Sequence, residues 1–162
     1  MIHSLKSILT QVYQLDEAAC ALISDKFSSA PASLIEAFIA QSALVCLIPS
    51  TEQSKMILNP LDALLSAPKT HRLLFENAYV RILESHIGPG ENVPIHTHQW
   101  DTIYVILQGS RLIGIDPEGR AIEEESKAGV ERFEGDTSDS TLYAYTNIGT
   151  KPYCSIAFEI KK

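Results

Sequence analysis

The chain of 162 residues has little cysteine, a single tryptophan and few basic residues, and each shortage narrows what it can do. Its cysteines, Cys20, Cys46 and Cys154, are odd in number, far apart and without a CxxC spacing, so neither a disulfide framework nor a thiolate zinc site is expected. A reduced, cytoplasmic compartment fits that usage. Lys and Arg number 13 against 20 acidic residues, a formal charge of -7, and they stand singly apart from the terminal Lys161 and Lys162. This pattern offers no footprint for a phosphate backbone, so no nucleic acid is expected as a partner. No apolar run is long enough to cross a bilayer; FIAQSALVCLIP is short, contains Gln41 and reads as a buried helix, so no membrane partner is expected. No apolar stretch with a small-residue cleavage site opens the chain, and a secretory signal is not expected. GPGENV lacks the following helix that would make it a phosphate loop.

What is present divides into two periodicities. Leu5, Ile8, Leu9, Val12 and Tyr13 recur at three- and four-residue steps, as one helical face does. A second helix is predicted from an Asp16 cap, burying Ala19, Leu22, Ile23 and Phe27, and a third follows SSAPAS with Leu34, Ile35, Phe38 and Ile39 inward. PSTEQS reads as a connector, and LDALLSA after Asn59-Pro60 as one more short helix. Beyond Pro68 the runs HRLLFE, AYVRILESHI, TIYVILQG, RLIGID, STLYAYTN and YCSIAFEI alternate with Gly, Pro and Asn turns. Short strands at regular spacing predict a sandwich or small barrel. The expected organisation is a helical segment over residues 1–57 and a β-barrel domain over 58–162, mainly β and α+β overall.

His96 and His98 stand one residue apart before the apolar run IYVIL. Positions two apart on a strand share a face, so both imidazoles are expected to project together with Thr97 opposite. Neutral imidazole suits a divalent metal such as iron, manganese, nickel or zinc. The alternative is a hydrogen-bonded pair with no metal.

The spacing around them, Gly90, five residues, His96-x-His98, three residues, Thr102, six residues, Gly109, resembles the first motif of the cupins, and LLFENAYVRIL followed by PGENVPIHTH is similar to small single-domain members of that superfamily. The likeness runs from about Leu61 to the C-terminus. It implies a jelly-roll barrel, often dimeric, with a small-molecule pocket and commonly a divalent metal. The chain departs from the pattern at two places. Thr102 stands where the family has a glutamate ligand, and in YAYTN Tyr143 stands at the usual histidine position, with Asn147 retained.

The resemblance therefore leaves His96 and His98 as metal ligands. Asp101 is a candidate if a bulge turns it inward, and Tyr143 is a candidate as phenolate or as a barrel-lining aromatic. Trp100, Thr102 and Tyr143 are candidate ligand-contacting residues, with burial in the core the competing fate of Trp100. His86, in phase with Glu84, is expected to face solvent, and His71 and His3 have no local partner. IEEESK reads as a solvated loop or a guard on an edge strand.

Three functions remain open at this level. One is a divalent-metal-dependent enzyme of oxygenase or isomerase type using His96 and His98. The second is a metal-free enzyme pairing a histidine base with Tyr143 as acid. The third is a non-catalytic barrel that binds a small ligand, its helices packed on the barrel or serving as a homodimer or partner interface. No catalytic residue is assigned.

Overall fold

The computed structural model describes residues 4–45, 58–115, 118–133 and 143–161. The connector PSTEQS, the expected boundary after residue 57, His3 and Cys46 lie outside the described residues, as does the Tyr143 side chain.

At the N-terminus Ser4 caps α1 (Leu5–Ser7), its hydroxyl accepting from the Ser7 N–H. The chain then widens into a π-helical stretch, Ile8–Val12, in which the Tyr13 N–H reaches the Ile8 carbonyl, and it leaves through Gln14 at a left-handed φ of 56°. Asp16 caps α2 (Glu17–Lys26) by accepting from the Ala19 N–H at 2.8 Å, the bond its short side chain and position predict. Pro31 precedes α3 (Ala32–Ser42), and Asp62 caps the one-turn α4 (Ala63–Ser66).

Nine strands follow: β1 (His71–Glu76), β2 (Val80–Ile87), β3 (Asn92–His96), β4 (Asp101–Gln108), β5 (Arg111–Ile115), β6 (Ala121–Glu125), β7 (Gly129–Phe133), β8 (Tyr143–Asn147) and β9 (Tyr153–Ile160). They form two antiparallel sheets, β1-β2-β9-β4-β7 and β3-β8-β5-β6. With β1 set aside, strands β2 to β9 interleave as 2-9-4-7 against 3-8-5-6, the order of an eight-stranded jelly roll. Every residue of β6, the IEEE strand at the edge of the smaller sheet, is exposed. Its charges oppose edge-to-edge pairing.

The larger sheet has two unlike faces, because alternate residues on a strand point opposite ways. Outward, Val80, Ile82, Ile103, Val105, Ile156, Phe158 and Ile160 join the apolar faces of the N-terminal helices in one buried core. Phe38 of α3 sits there with its ring centroid 4.6 Å from Phe158 and 5.4 Å from Phe27. The Tyr13 hydroxyl is satisfied by Ser42 at 2.9 Å. Each such apolar side chain contributes about 2 kcal/mol when buried, so the helices and the sheet hold each other in place. Lys26 of α2 adds a bond to Glu84 of β2 at 2.6 Å, and Arg72 reaches the other oxygen of that carboxylate.

The mouth of the barrel is tied by small residues and one asparagine. Gly90 turns the chain into β3 at φ +78°, a conformation that costs other L-residues. Asn147, fully buried, donates to the carbonyls of Ile87 and Lys151 and accepts from the Ser110 hydroxyl and the Gly149 N–H, joining the ends of β2, β5 and β8. Gly109 is required by close approach: a Cβ there would lie 1.9 Å from the Ser126 carbonyl oxygen.

Gly109→Ala is expected to lower stability by about 2–3 kcal/mol through overpacking against backbone, read from the urea midpoint. Glu84 is raised by burial but lowered more by its Lys26 and Arg72 donors, so its net shift is downward. Its contribution is present above the unfolded carboxylate value and lost as pH falls through the lower folded value. Thermal melts between about pH 6 and about pH 3 should show a shallower acid loss in Glu84→Gln than in the parent; equal slopes would remove Glu84 from the acid response.

Candidate metal centre

Three histidines meet between the sheets. His71 opens β1, His96 closes β3 and His98 follows two residues later. One nitrogen from each lies within 4.8 Å of the others, and the ring centroids are 4.6 Å (His71 to His96), 5.5 Å (His71 to His98) and 5.4 Å (His96 to His98) apart. Among the described residues this is the one histidine, cysteine and carboxylate group close enough to share an ion.

Local structure explains how each ring is aimed. A register shift between Val93 and His96 changes the phase of β3, so that both residues are buried inside the barrel while Ile95 is exposed. Thr97 is pinned by the segment ahead of α4, its N–H donating to Leu61 at 2.7 Å and its carbonyl accepting from Ala63 at 3.1 Å. That contact fixes where His98 leaves the strand. His71 lies opposite Ser85 in the β1–β2 ladder, and a bulge between Leu73 and Phe75 separates its phase from the rest of β1.

Each imidazole uses Nδ1 on an oxygen behind it. His96 Nδ1 meets the Pro94 carbonyl at 2.9 Å, His71 Nδ1 the Thr70 hydroxyl at 3.1 Å and the Ala67 carbonyl at 3.3 Å, and His98 Nδ1 the Glu159 carboxylate at 2.7 Å. The Pro94 carbonyl and the Glu159 carboxylate accept, so Nδ1–H donates in His96 and His98, while His71 Nδ1 faces both a carbonyl and a hydroxyl. Burial pushes His71 down to about 3, and the neighbouring His96, His98 and Arg81 add to that, against the Ala67 carbonyl. The ring is thus neutral near pH 7, the form that binds metals.

Behind His98 lies a buried charge network. Arg81 of β2 is 1% exposed, and Asp62 and Glu159 are 0% exposed. The guanidinium holds Asp62 with two bonds, Nη1 to Oδ1 at 3.1 Å and Nη2 to Oδ2 at 2.6 Å, and its Nε donates to Glu159. Burial alone would lower Arg81, but Glu159 and Asp62 overcome it and the guanidinium stays charged. Burial alone would raise Glu159; its His98 and Arg81 donors reverse this and hold it below the usual carboxylate range.

The histidines close one end of a cavity of about 100 Å³. Ser85, Ser155, Tyr104, Tyr145 and Tyr153 give it polar wall, Ile87, Ile106 and Leu112 apolar wall, and Glu124 and Glu131 acidic wall. Burial and the nearby Glu124 raise Glu131 above the ordinary carboxylate value. No Lys or Arg among the described residues lines this space.

Of the residues singled out in the sequence, His96 and His98 come together. Asp101 is buried and shares its phase on β4 with Ile103 and Val105, the helix-packed face, so it is outside the histidine group. Thr102 points with Tyr104 but uses its hydroxyl on the Trp100 carbonyl at 2.8 Å. Trp100 is 8% exposed and lies under the Arg81 guanidinium, 4.6 Å from its ring centroid. Neither Thr102 nor Trp100 lines the cavity. The Tyr143 backbone pairs with His96 in the β3–β8 ladder. His86 is exposed, as its phase predicts.

His71, Asp62, Arg81 and Glu159 carry most of the geometry and were not candidates from sequence. Arg81 and Glu159 had a visible sign, a lone charge inside the apolar runs YVRIL and IAFEI. His71 had none within its own segment.

Two interleaved antiparallel sheets in jelly-roll order, with His96-x-His98 pointing between them from the third strand, decide the architecture. The fold is an antiparallel jelly roll. No protein-family profile matches the chain, and no curated protein matches it in sequence. Among solved structures it is similar to a cupin domain from Bordetella pertussis Tohama I, at 18% identity over 57% of this chain and 92% of that one, TM-score 0.49. A cupin superfamily protein from Desulfitobacterium hafniense DCB-2 is 17% identical over 73% of this chain and 100% of that one, TM-score 0.41. The polyketide cyclase RemF from Streptomyces resistomycificus is 14% identical over 74% of this chain and 80% of that one, TM-score 0.45. No reaction is carried over from them. The three-histidine group in this jelly roll is compatible with a divalent metal, and no helix among the described residues is long and apolar enough to cross a membrane.

Arg81→Met keeps the volume and leaves two buried carboxylates without their cation. It is expected to cost about 3–5 kcal/mol in denaturant unfolding, well beyond the loss from truncating an exposed arginine such as Arg120.

Proposed function

We propose that the chain is a divalent-metal cupin that acts on a small molecule, with His71, His96 and His98 as the protein ligands. The observation that carries this reading is the convergence of the three rings: one nitrogen of each lies within 4.8 Å of the others, and each Nδ1 has an oxygen partner. Three imidazoles with open positions suit iron, manganese, nickel or zinc. Bound there, such an ion supplies Lewis-acid polarisation of a substrate oxygen or, if redox-active, activation of O2.

The chain's own residues do the rest. Ser85, Ser155 and Tyr104 offer hydroxyls to a polar ligand, and Ile87, Ile106 and Leu112 displace water from its apolar part. Glu124 and Glu131, with no basic residue among the described residues of the wall, disfavour phosphates and carboxylates and favour neutral or cationic molecules. The small volume limits the occupant to a compact molecule. A metal-free enzyme with Tyr143 as acid rests on a side chain outside the described residues. The helices turn their apolar face to the sheet, so a homodimer, if formed, would use another surface.

Elemental analysis of untagged protein, with titration by Mn2+, Fe2+, Ni2+ and Zn2+ after chelator treatment, tests the reading. About one equivalent is expected in the parent, lost in His71→Ala as fully as in His96→Ala or His98→Ala. Metal retained in folded His71→Ala would reduce the centre to the His-x-His pair, and no metal in the parent under any of the four ions would refute the reading.

A further inference from the structure

The histidine group contains no carboxylate, and its surroundings show where negative charge is supplied instead. Glu159 accepts from His98 Nδ1 at 2.7 Å through Oε1 and from Arg81 Nε through Oε2, and Arg81 is held in turn by both oxygens of Asp62. All three charged side chains are sealed from water. One guanidinium stands between two carboxylates, and the second carboxylate, Glu159, has the His98 ring as its direct neighbour on the other side. A buried charge is costly unless it is paired, and the group facing it is the set of three imidazoles, where a cation would sit.

We infer that Glu159, with Asp62 and Arg81 behind it, is the positioning and charge-supplying relay of the metal centre, acting through His98 in place of a carboxylate ligand. The inference rests on the metal reading above and deepens it. Each part has a separate physical task. The Glu159 to Nδ1 bond fixes the His98 tautomer and ring angle, so that Nε2 is presented as a lone pair. The ionised acceptor also makes that nitrogen a stronger donor to a metal than one backed by a neutral carbonyl, as His71 and His96 are. Asp62 neutralises Arg81, so the guanidinium does not cancel the charge Glu159 delivers. The Asp62 position is fixed by the segment that also pins Thr97, through the Thr97 N–H to Leu61 carbonyl bond and the isolated Asp62–Thr97 bridge. Relay and ligand are therefore placed by one piece of backbone.

The test is metal affinity, not turnover. Glu159→Gln keeps size, removes the charge and leaves one acceptor oxygen in place of two; Zn2+ and Mn2+ affinities, measured by competition with a chelating dye, should fall about tenfold to a hundredfold. Asp62→Asn removes charge one bond further away and should weaken binding by less, in the same direction. An unchanged affinity in folded Glu159→Gln would overturn the inference while leaving the three-histidine reading standing, and absence of Zn2+ and Mn2+ binding by the parent would overturn both. Should Glu159→Gln not fold, the parent alone still decides. Long-range 15N–1H spectra of the imidazoles, with and without Zn2+, are expected to show His98 with its proton on Nδ1 in both states. A His98 that is Nε2-protonated and Nδ1-bare in the metal-free parent would contradict the relay.

Discussion

Strand alternation in β2, β4 and β9 is the constraint on which the rest of the molecule depends. It sends Val80, Ile82, Ile103, Val105, Ile156 and Phe158 outward to the helices and leaves Arg81, Ser85, Tyr104, Ser155 and Glu159 facing between the sheets. The main apolar core is thus outside the barrel, between α1 to α3 and the larger sheet. Small jelly rolls commonly fill their interior with apolar side chains. Here much of that burden lies on the outer face, and the interior can hold an arginine, two carboxylates and three histidines. The N-terminal helices serve the site indirectly, by stabilising the sheet that carries it.

From this division the chemistry of the interior follows. Charges sealed between the sheets interact strongly because water does not screen them, and each survives only with a partner. Asp62 and Arg81 satisfy one another, Glu159 is shared between Arg81 and His98, and one nitrogen of each histidine lies within 4.8 Å of the others. The cavity beside them is walled by hydroxyls, aliphatic side chains and two glutamates. A rigid polar end and a softer mixed wall are what a small-molecule site of defined orientation requires.

Much of the architecture was legible in the sequence. The Asp16 cap, the helical periodicity of the first segment, the turn residues between strands and the His96-x-His98 spacing all correspond to local physics that a single segment expresses. His71 was not legible, because its position depends on a bulge in β1 and on pairing with β2, neither of which its own segment encodes. Asp101 fell on the helix-packed face because β4 runs through that point in regular phase and does not bulge there. Trp100, for which ligand contact and core burial were both open, is buried under Arg81, a contact that its own segment does not encode. The relay residues were visible only as isolated charges in apolar strands, which marks them as unusual without saying which partner satisfies them.

The central claim, three histidines holding one divalent ion, is tested most directly by anomalous X-ray diffraction from crystals of chelator-stripped protein resupplied with Zn2+ or Mn2+. A single peak about 2.0–2.2 Å from the Nε2 atoms of His71, His96 and His98 is the predicted result. A peak that excludes His71, or no peak at the histidine group in crystals that hold the ion elsewhere, would contradict the account.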